Sequence, residues 1–286
     1  MTEINFKEYR VDEMKEKVQF PPLRVLLVGA TGAGKSSTIN ALLGGEAAKV
    51  GYGADPETKE IEKYEINGCL YFYDTPGLGD SPQEDSTHIK KIMSYLRLPY
   101  TKNGVRGRLI DKVLVVIDGS TRDLGSIQNL LNNYIFNEIE PENVLFAVNQ
   151  ADMAMKGRHW NSKTGRPDET LAEFLNAKAD SVKTRLAEDT GETITTPVCY
   201  SATNGFNIKQ LVDFIVENCG SQRKEEYRET SYTSSESDIP SNGKVAGHTA
   251  AGVAAGAAIG SAVPLVGTAL GAAVGGVIGF ISSFWD

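Results

Sequence analysis

Short apolar runs alternate with amphipathic stretches through the middle of the chain. Residues 25–28 form the first apolar run, followed by a glycine-rich stretch and then by Ile39, Leu42 and Leu43 at helical spacing. Gly44-Gly45 predicts the end of that helix, and residues 46–60, mixed polar with Gly51, Gly53 and Pro56, read as a mobile loop. Residues 61–66 and 69–73 read as two strands, and the Asn67-Gly68 pair between them predicts a hairpin. A loop over 78–84, a helix over 85–98 and a loop over 99–108, with Pro99, Gly104 and Gly107, come next. Residues 109–118 predict a buried strand. Residues 124–139 predict an amphipathic helix with Ile127, Leu130, Leu131, Tyr134 and Ile135 on one face. Residues 144–148 give another buried strand, 168–189 a helix stopped by Gly191, 194–200 the last strand, and 207–218 the closing helix. Strand and helix patterns thus alternate from Arg24 to Asn218. That order predicts an α/β fold: three layers, a mostly parallel sheet, helices on both faces and one antiparallel edge strand at the hairpin.

Three stretches fall outside this alternation. Residues 4–18 could form one short helix, but Ile4, Tyr9, Met14 and Val18 make no clean stripe. We expect a solvated leader over 1–21, loosely packed on the domain, with a partner-binding arm as the alternative. Residues 153–167 are an irregular insertion long enough to carry a function of its own, with His159 and Trp160 prominent in it. No Cys/His spacing accompanies His159, so a solvated or stacking role is expected rather than metal ligation.

The third stretch is the tail. Residues 220–244 are polar and charged and read as a flexible linker, separate from the 22–219 domain. Residues 245–285 then contain no Asp, Glu, Lys or Arg. Glycine recurs every fourth residue at Gly252, Gly256 and Gly260, and again at Gly267, Gly271, Gly275 and Gly279, with Pro264 between the two sets. On a helix this is one stripe of small residues, the way membrane helices pack together, so residues 245–286 are expected to be a helical glycine-zipper tail associated with a membrane. Phe284 and Trp285 suit an interface. The alternative is a soluble helical hairpin.

Composition adds limits. The net charge is −8, so non-specific nucleic-acid binding is not favoured. The three cysteines, Cys69, Cys199 and Cys219, are sparse and widely spaced, which fits core residues in a reducing cytosol rather than a disulfide framework or a zinc site. The charged N-terminus lacks an apolar core, so no secretory signal is expected.

The candidate chemistry sits where apolar runs end. Gly29-Ala30-Thr31-Gly32-Ala33-Gly34-Lys35-Ser36 fits G-x-x-x-x-G-K-[ST] between a strand and a helix, the P-loop. Glycines let backbone N–H groups wrap a phosphate, and the following helix N-terminus favours an anion. Lys35 would meet β- and γ-phosphate oxygens and Ser36 would offer its hydroxyl to Mg2+. Asp74-Thr75-Pro76-Gly77 ends the second hairpin strand, where a second magnesium contact is needed.

Four further pieces follow the P-loop in order: Thr58, Asp74 to Gly77, Asn149-Gln150-Ala151-Asp152, and Ser201-Ala202-Thr203. With them residues 22–219 resemble an Era-like, translation-factor-type P-loop GTPase. More narrowly, the P-loop with Asn149-Gln150-Ala151-Asp152 and the Gly157-Arg158-His159-Trp160 insertion resemble prophage-encoded GTPases often described as 50S-ribosome-binding. The resemblance implies GTP or GDP with Mg2+ and slow GTP hydrolysis in a molecular switch. It implies nucleotide contacts along Gly29 to Ser37, including Ser37 itself. Asp152 would accept from the guanine N1 and N2 donors, Asn149 would hold base and loop, and the Ala202 N–H in the Ser201 to Thr203 loop would meet O6. Thr58 would close on Mg2+ and the γ-phosphate, Asp74 would hold Mg2+, and the Gly77 N–H would sense the γ-phosphate. Lys35, Thr58 and Gly77 are the expected catalytic set, with Ser36, Thr58 and Asp74 for the metal.

Two departures stand out. Gln150 replaces the usual lysine, and its aliphatic part is expected to pack on the ribose side with some loss of affinity. Leu78 stands where some relatives carry a water-orienting glutamine, so activation by a partner, by dimerisation or by another group is expected. Cytoplasmic placement at the inner or plasma membrane through the tail follows. A membrane-active effector gated by the domain and a ribosome-associated GTPase are the rival readings, nucleic acid being met only through the ribosome.

Overall fold

The computed structural model describes residues 4–17, 22–45, 61–102 and 105–219. Thr58 and residues 220–286, with the linker and glycine-rich tail expected there, lie outside the described residues. In chain order the elements are α1 (Val11–Lys17), β1 (Leu23–Val28), α2 (Lys35–Leu43), β2 (Glu62–Asn67), β3 (Leu70–Asp74), α3 (Pro82–Arg97), β4 (Pro99–Lys102) and β5 (Val105–Arg108). Then follow β6 (Lys112–Asp118), α4 (Gly125–Asn133), β7 (Val144–Asn149), β8 (Trp160–Asn161), β9 (Arg166–Pro167), α5 (Glu169–Thr190), β10 (Val198–Cys199) and α6 (Ile208–Glu217).

Six strands form the main sheet in the order β10-β7-β6-β1-β3-β2. All neighbours are parallel except β2, which pairs antiparallel with β3 at the edge. The expected architecture is therefore present. Its cause is visible in β1, β6 and β7, which are apolar on both faces because both faces are covered. Leu26, Val28, Val113, Val115, Phe146 and Val148 pack with α3, α4 and α5. The alternate residues Val25, Leu27, Leu114, Val116, Leu145 and Ala147 pack with α1, α2 and α6. Parallel pairing brings the C-terminal ends of β3, β1, β6 and β7 to one side, with Leu27 beside Asp74 and Asp118 beside Asn149.

Several expectations are corrected. Within the expected 99–108 loop, Pro99–Lys102 and Val105–Arg108 are strands: β4 and β5 pair antiparallel, and Tyr100 is buried opposite Gly107. A glycine across from an aromatic leaves room for the ring, and a proline that opens an edge strand breaks no ladder bond, so neither was a loop signal. The Arg24 guanidinium, fully buried in β1, lies 3.9 Å from the centre of the Tyr100 ring. The helix placed at 85–98 starts at Pro82, where Ser81 caps it by accepting from Glu84 N–H and bonding the Glu84 carboxylate in return. The helix placed at 124–139 breaks after Asn133, and Ile135–Asn137 form a tight 3-10 turn. The last strand is only Val198–Cys199, shortened by Pro197. Among the described residues no helix is long and apolar enough to cross a membrane.

The leader also differs from expectation. Met14 is fully buried, and Phe6, Tyr9 and Val11 pack on the same cluster as α6. Asp213 on α6 accepts from Tyr9 Oη at 2.7 Å, Arg10 at 2.9 Å and Lys209 at 2.8 Å. Burial pushes the Asp213 carboxyl up, but the bonds from Lys209, Tyr9 and Arg10 outweigh it and hold the group below its ordinary value. A carboxylate so depressed contributes stability at neutral pH that is lost as pH falls through its folded pKa. Asp213→Ala is expected to lower stability by about 1–3 kcal/mol at pH 7, with the difference from the unsubstituted chain shrinking in strong acid. Urea melts at both pH values check this; an unchanged midpoint at pH 7 would show that the leader is not clasped through Asp213.

Candidate functional site

At the C-terminal ends of the central strands, β1 leads into the loop from Gly29 to Gly34 and then into α2. The loop needs its terminal glycines. Gly34 has φ +88°, and a Cβ there would lie 2.1 Å from Asn149 Nδ2; a Cβ at Gly29 would lie 2.3 Å from Val116 O. Lys35 is buried, and its Nζ donates to Gly29 O and Ala30 O, each at 3.1 Å. Burial lowers its pKa, while the Asp74 and Asp80 carboxylates pull it back up. The ammonium is thus folded into the loop it closes.

Ser36 Oγ donates to Asp74 Oδ2 at 2.6 Å. Burial pushes the Asp74 carboxyl up, opposed by the Lys35 charge and the Ser36 bond. Asp74 Oδ1 is buried and has no hydrogen-bond partner among the described residues. A desolvated carboxylate with an idle oxygen, adjoining a hydroxyl, is a hard-oxygen pair suited to a small divalent cation, which would offset the cost of burying the charge. Mg2+ therefore fits. No group of three or more His, Cys, Asp and Glu suited to a metal occurs among the described residues, and His159 Nδ1 lies 2.8 Å from Asp168 Oδ2.

The segment after Asp74 is fastened to the phosphate loop. Leu78 N–H donates to Gly29 O at 3.2 Å, and Thr31 N–H donates to Leu78 O at 2.8 Å. Thr31 Oγ1 donates to Asp80 Oδ2 at 2.6 Å. From the other side, His88 Nδ1 lies 2.7 Å from Gly77 O, and Gly79 N–H donates to Asp85 Oδ1 at 2.8 Å. Gly77 itself is buried against Thr31. Thr31, Asp80 and His88 carried no sequence signal for these side-chain bonds, because each joins residues through a turn rather than through a fixed spacing.

Asn149, at the end of β7, joins three segments. Its Nδ2 donates to Ala33 O at 3.0 Å, and its Oδ1 accepts from Ala202 N–H at 3.0 Å. Its carbonyl accepts from Gly119 N–H at 2.7 Å. Gln150, in the left-handed region at φ +59°, reaches back so that Nε2 donates to Gly32 O at 2.7 Å. Ala151 N–H donates to Tyr200 O at 3.0 Å, and the buried Tyr200 hydroxyl lies 2.7 Å from Thr38 Oγ1 on α2. Ser201 is fully buried and Thr203 exposed, while Asp152 is half-buried beside them. Ser37 is half-buried in the first turn of α2. The P-loop, Asp74 to Gly77, Asn149 to Asp152 and Ser201 to Thr203 thus converge on one rim.

The insertion borders this rim and is ordered. Residues Ala154–Gly157 make a 3-10 turn, β8 pairs with β9, and the Trp160 ring stands edge-on to Phe206 at 5.6 Å. Cys199 beneath it has its thiol pushed up to about 12 by burial and is no nucleophile.

Residues 24–150 match the family model described as 50S ribosome-binding GTPase, a little under half of the chain. A stretch of 109 residues is 33% identical to translocase of chloroplast 159 of Arabidopsis thaliana, covering 37% of this chain and 7% of that protein. A stretch of 173 residues is 31% identical to the tRNA modification GTPase MnmE of Pseudomonas paraeruginosa, covering 57% of this chain and 34% of that one. The chain thus spans only a minor part of the length of these relatives. Among solved structures it superposes on Toc33 of Arabidopsis thaliana in complex with Mg2+ and GMPPNP, with a TM-score of 0.53 and 19% identity, covering 77% of this chain and 98% of that one. The fold is that of the P-loop GTPases, and the site carries the residues suited to a nucleotide phosphate and Mg2+. The 24–150 core carries the match to the 50S ribosome-binding GTPase model.

Proposed function

We propose that the chain is a guanine-nucleotide switch that hydrolyses GTP slowly and is tethered to a membrane through residues 245–286. The observation that carries the switch reading is the double fastening of Leu78 to Gly29 and Thr31, which makes the segment after Asp74 respond to whatever occupies the phosphate loop. Gly29 to Ser37 would hold the phosphates, with Lys35 turning from its carbonyl partners to the β- and γ-oxygens. Ser36 and Asp74 would hold Mg2+, joined by Thr58. The cation supplies charge neutralisation at the phosphates. Asp152 would read the guanine N1 and N2 donors, an acceptor that adenine leaves unpaired. Asn149 and Gln150 would act by bracing the loop rather than by touching phosphate, and the loop from Ser201 to Thr203 would border the base. Gly77 would offer its N–H to the γ-phosphate.

The stretch 245–285, without Asp, Glu, Lys or Arg and with a four-residue glycine repeat, supports the tether. The test is binding and turnover of GTP by the full chain and by residues 1–219, each with and without anionic phospholipid vesicles. We expect GDP and GTP to bind both forms, ATP to compete poorly, and only the full chain to sediment with vesicles. ATP outcompeting GDP would sink the switch reading, and vesicle binding by residues 1–219 alone would sink the tether.

A further inference from the structure

A water-attacking GTPase needs a group that holds the nucleophile in line, and Leu78 cannot supply it. Its side chain is 5% exposed and packs in the core with Val28 and Ile92. Two carboxylates act on the Lys35 ammonium, Asp74 and Asp80. They differ in what they can do. Asp74 is buried and bound to Ser36, the metal side of the site. Asp80 is exposed to solvent, and one of its oxygens hangs from the hydroxyl of Thr31, the third residue of the phosphate loop.

The segment that carries Asp80 is also fastened in place in this conformation. The segment is bonded to the phosphate loop through both polar backbone atoms of Leu78. It is bonded to α3 through Gly77 O to His88 and Gly79 N–H to Asp85. Ser81, next in the chain, caps α3. A carboxylate bonded to the third residue of the phosphate loop and carried on a segment fastened on both sides is preorganised, which is what an acceptor for a reacting water requires.

We infer that Asp80, positioned by Thr31, orients and deprotonates the attacking water in place of the residue that Leu78 replaces. The inference rests on the GTPase reading above. In the step, the water oxygen bonds to the γ-phosphorus and the bond from that phosphorus to the β–γ bridging oxygen breaks. The electron pair stays on GDP, and the water proton passes to the Asp80 carboxylate and then to the released phosphate. The arrangement has a second consequence. A carboxylate beside the γ-phosphate repels it and not the β-phosphate, so Asp80 weakens GTP relative to GDP while it speeds the reaction.

That pairing gives the test. Single-turnover hydrolysis by the full chain with Mg2+ is measured beside equilibrium binding of fluorescent GDP and of a non-hydrolysable GTP analogue, for Asp80→Asn, Asp80→Ala and Thr31→Val. Asp80→Asn retains an oxygen for the Thr31 bond and removes only the charge. Both Asp80 variants are expected to hydrolyse GTP about 10- to 100-fold more slowly. They should bind the GTP analogue about three- to tenfold more tightly, with GDP affinity unchanged. Thr31→Val is expected to slow hydrolysis with a smaller change in binding. Hydrolysis by both Asp80 variants within twofold of the unsubstituted chain would overturn the assignment. So would a parallel loss of GDP and GTP binding, which would mark Asp80 as part of the loop's architecture alone. Absence of any turnover in the unsubstituted chain would remove the GTPase reading itself, and this assignment with it.

Discussion

Asn149→Ala is expected to lose both stability and nucleotide. The Asn149 side chain donates to Ala33 O and accepts from Ala202 N–H, and both contacts are buried. Truncation leaves a backbone acceptor in the phosphate loop and a backbone donor beside the base without partners. Each buried polar group left so costs about 1–3 kcal/mol, which sums to about 2–6 kcal/mol of folding free energy. The functional loss has the same origin. Ala33 and Ala202 belong to the loops that face the phosphates and the base, and Asn149 sets the distance between them. GDP affinity is expected to fall at least about 100-fold, the equivalent of about 2.7 kcal/mol. Asn149→Asp separates the two roles. It keeps the acceptor for Ala202 N–H and loses the donor to Ala33 O, placing a carboxylate against a carbonyl, so the phosphate loop should suffer and the base loop should not. Chemical denaturation and GDP titration of both variants check this. If Asn149→Ala bound GDP within threefold of the unsubstituted chain, the bracing role would be wrong.

The sequence carried the frame of this site better than its fastenings. Apolar runs that end in glycine, aspartate or asparagine located β1, β3 and β7, because a strand buried on both faces cannot be polar until it reaches the sheet's edge. The motifs at those ends were legible for the same reason: their spacing is local. What joins one motif to another was not. Gln150 to Gly32 spans 118 positions and Asn149 to Ala33 spans 116, and no periodicity encodes a contact between loops of different strands. Gln150 was read for its aliphatic stem, and the bond of its amide to Gly32 carried no signal. The Asp213 clasp on the leader was missed likewise, since Tyr9 and Arg10 meet an acid 203 or more residues away. The capping signal Ser81-Pro82-Gln83-Glu84 was legible and would have placed the start of α3 correctly. Tyr100 opposite Gly107 was not, because a glycine that makes room for a ring resembles a glycine that makes a turn.

Gly77→Ala is expected to separate GTP hydrolysis from GDP binding. A Cβ at Gly77 would lie 2.3 Å from Thr31 Oγ1, 2.5 Å from Thr31 Cα and 2.7 Å from Thr31 N. Two of those atoms are backbone, so a side-chain rotation cannot relieve the clash. Either the phosphate loop or the segment from Gly77 to Asp80 must move. The phosphate loop is braced by Asn149, Gln150 and Lys35, whereas the segment is held to it by two backbone bonds and the Thr31 hydroxyl. The segment is the weaker side and yields. It would carry Asp80 and the Gly77 N–H away from the end of the loop while leaving the loop's own curvature intact. GTP turnover should fall at least about 100-fold, a loss of about 2.7 kcal/mol of transition-state stabilisation, with GDP affinity within about threefold. Gly34→Ala is the contrast. There the added Cβ meets Asn149 Nδ2 at 2.1 Å, and φ +88° strains any side chain, so the curvature of the phosphate loop is itself distorted. GDP affinity and turnover should fall together in that variant. Measured side by side, the two alanines test whether the segment after Asp74 is a separable part of the machine. Equal loss of GDP binding in both would mean that segment and loop form one rigid unit, and the switch would then have no moving part here.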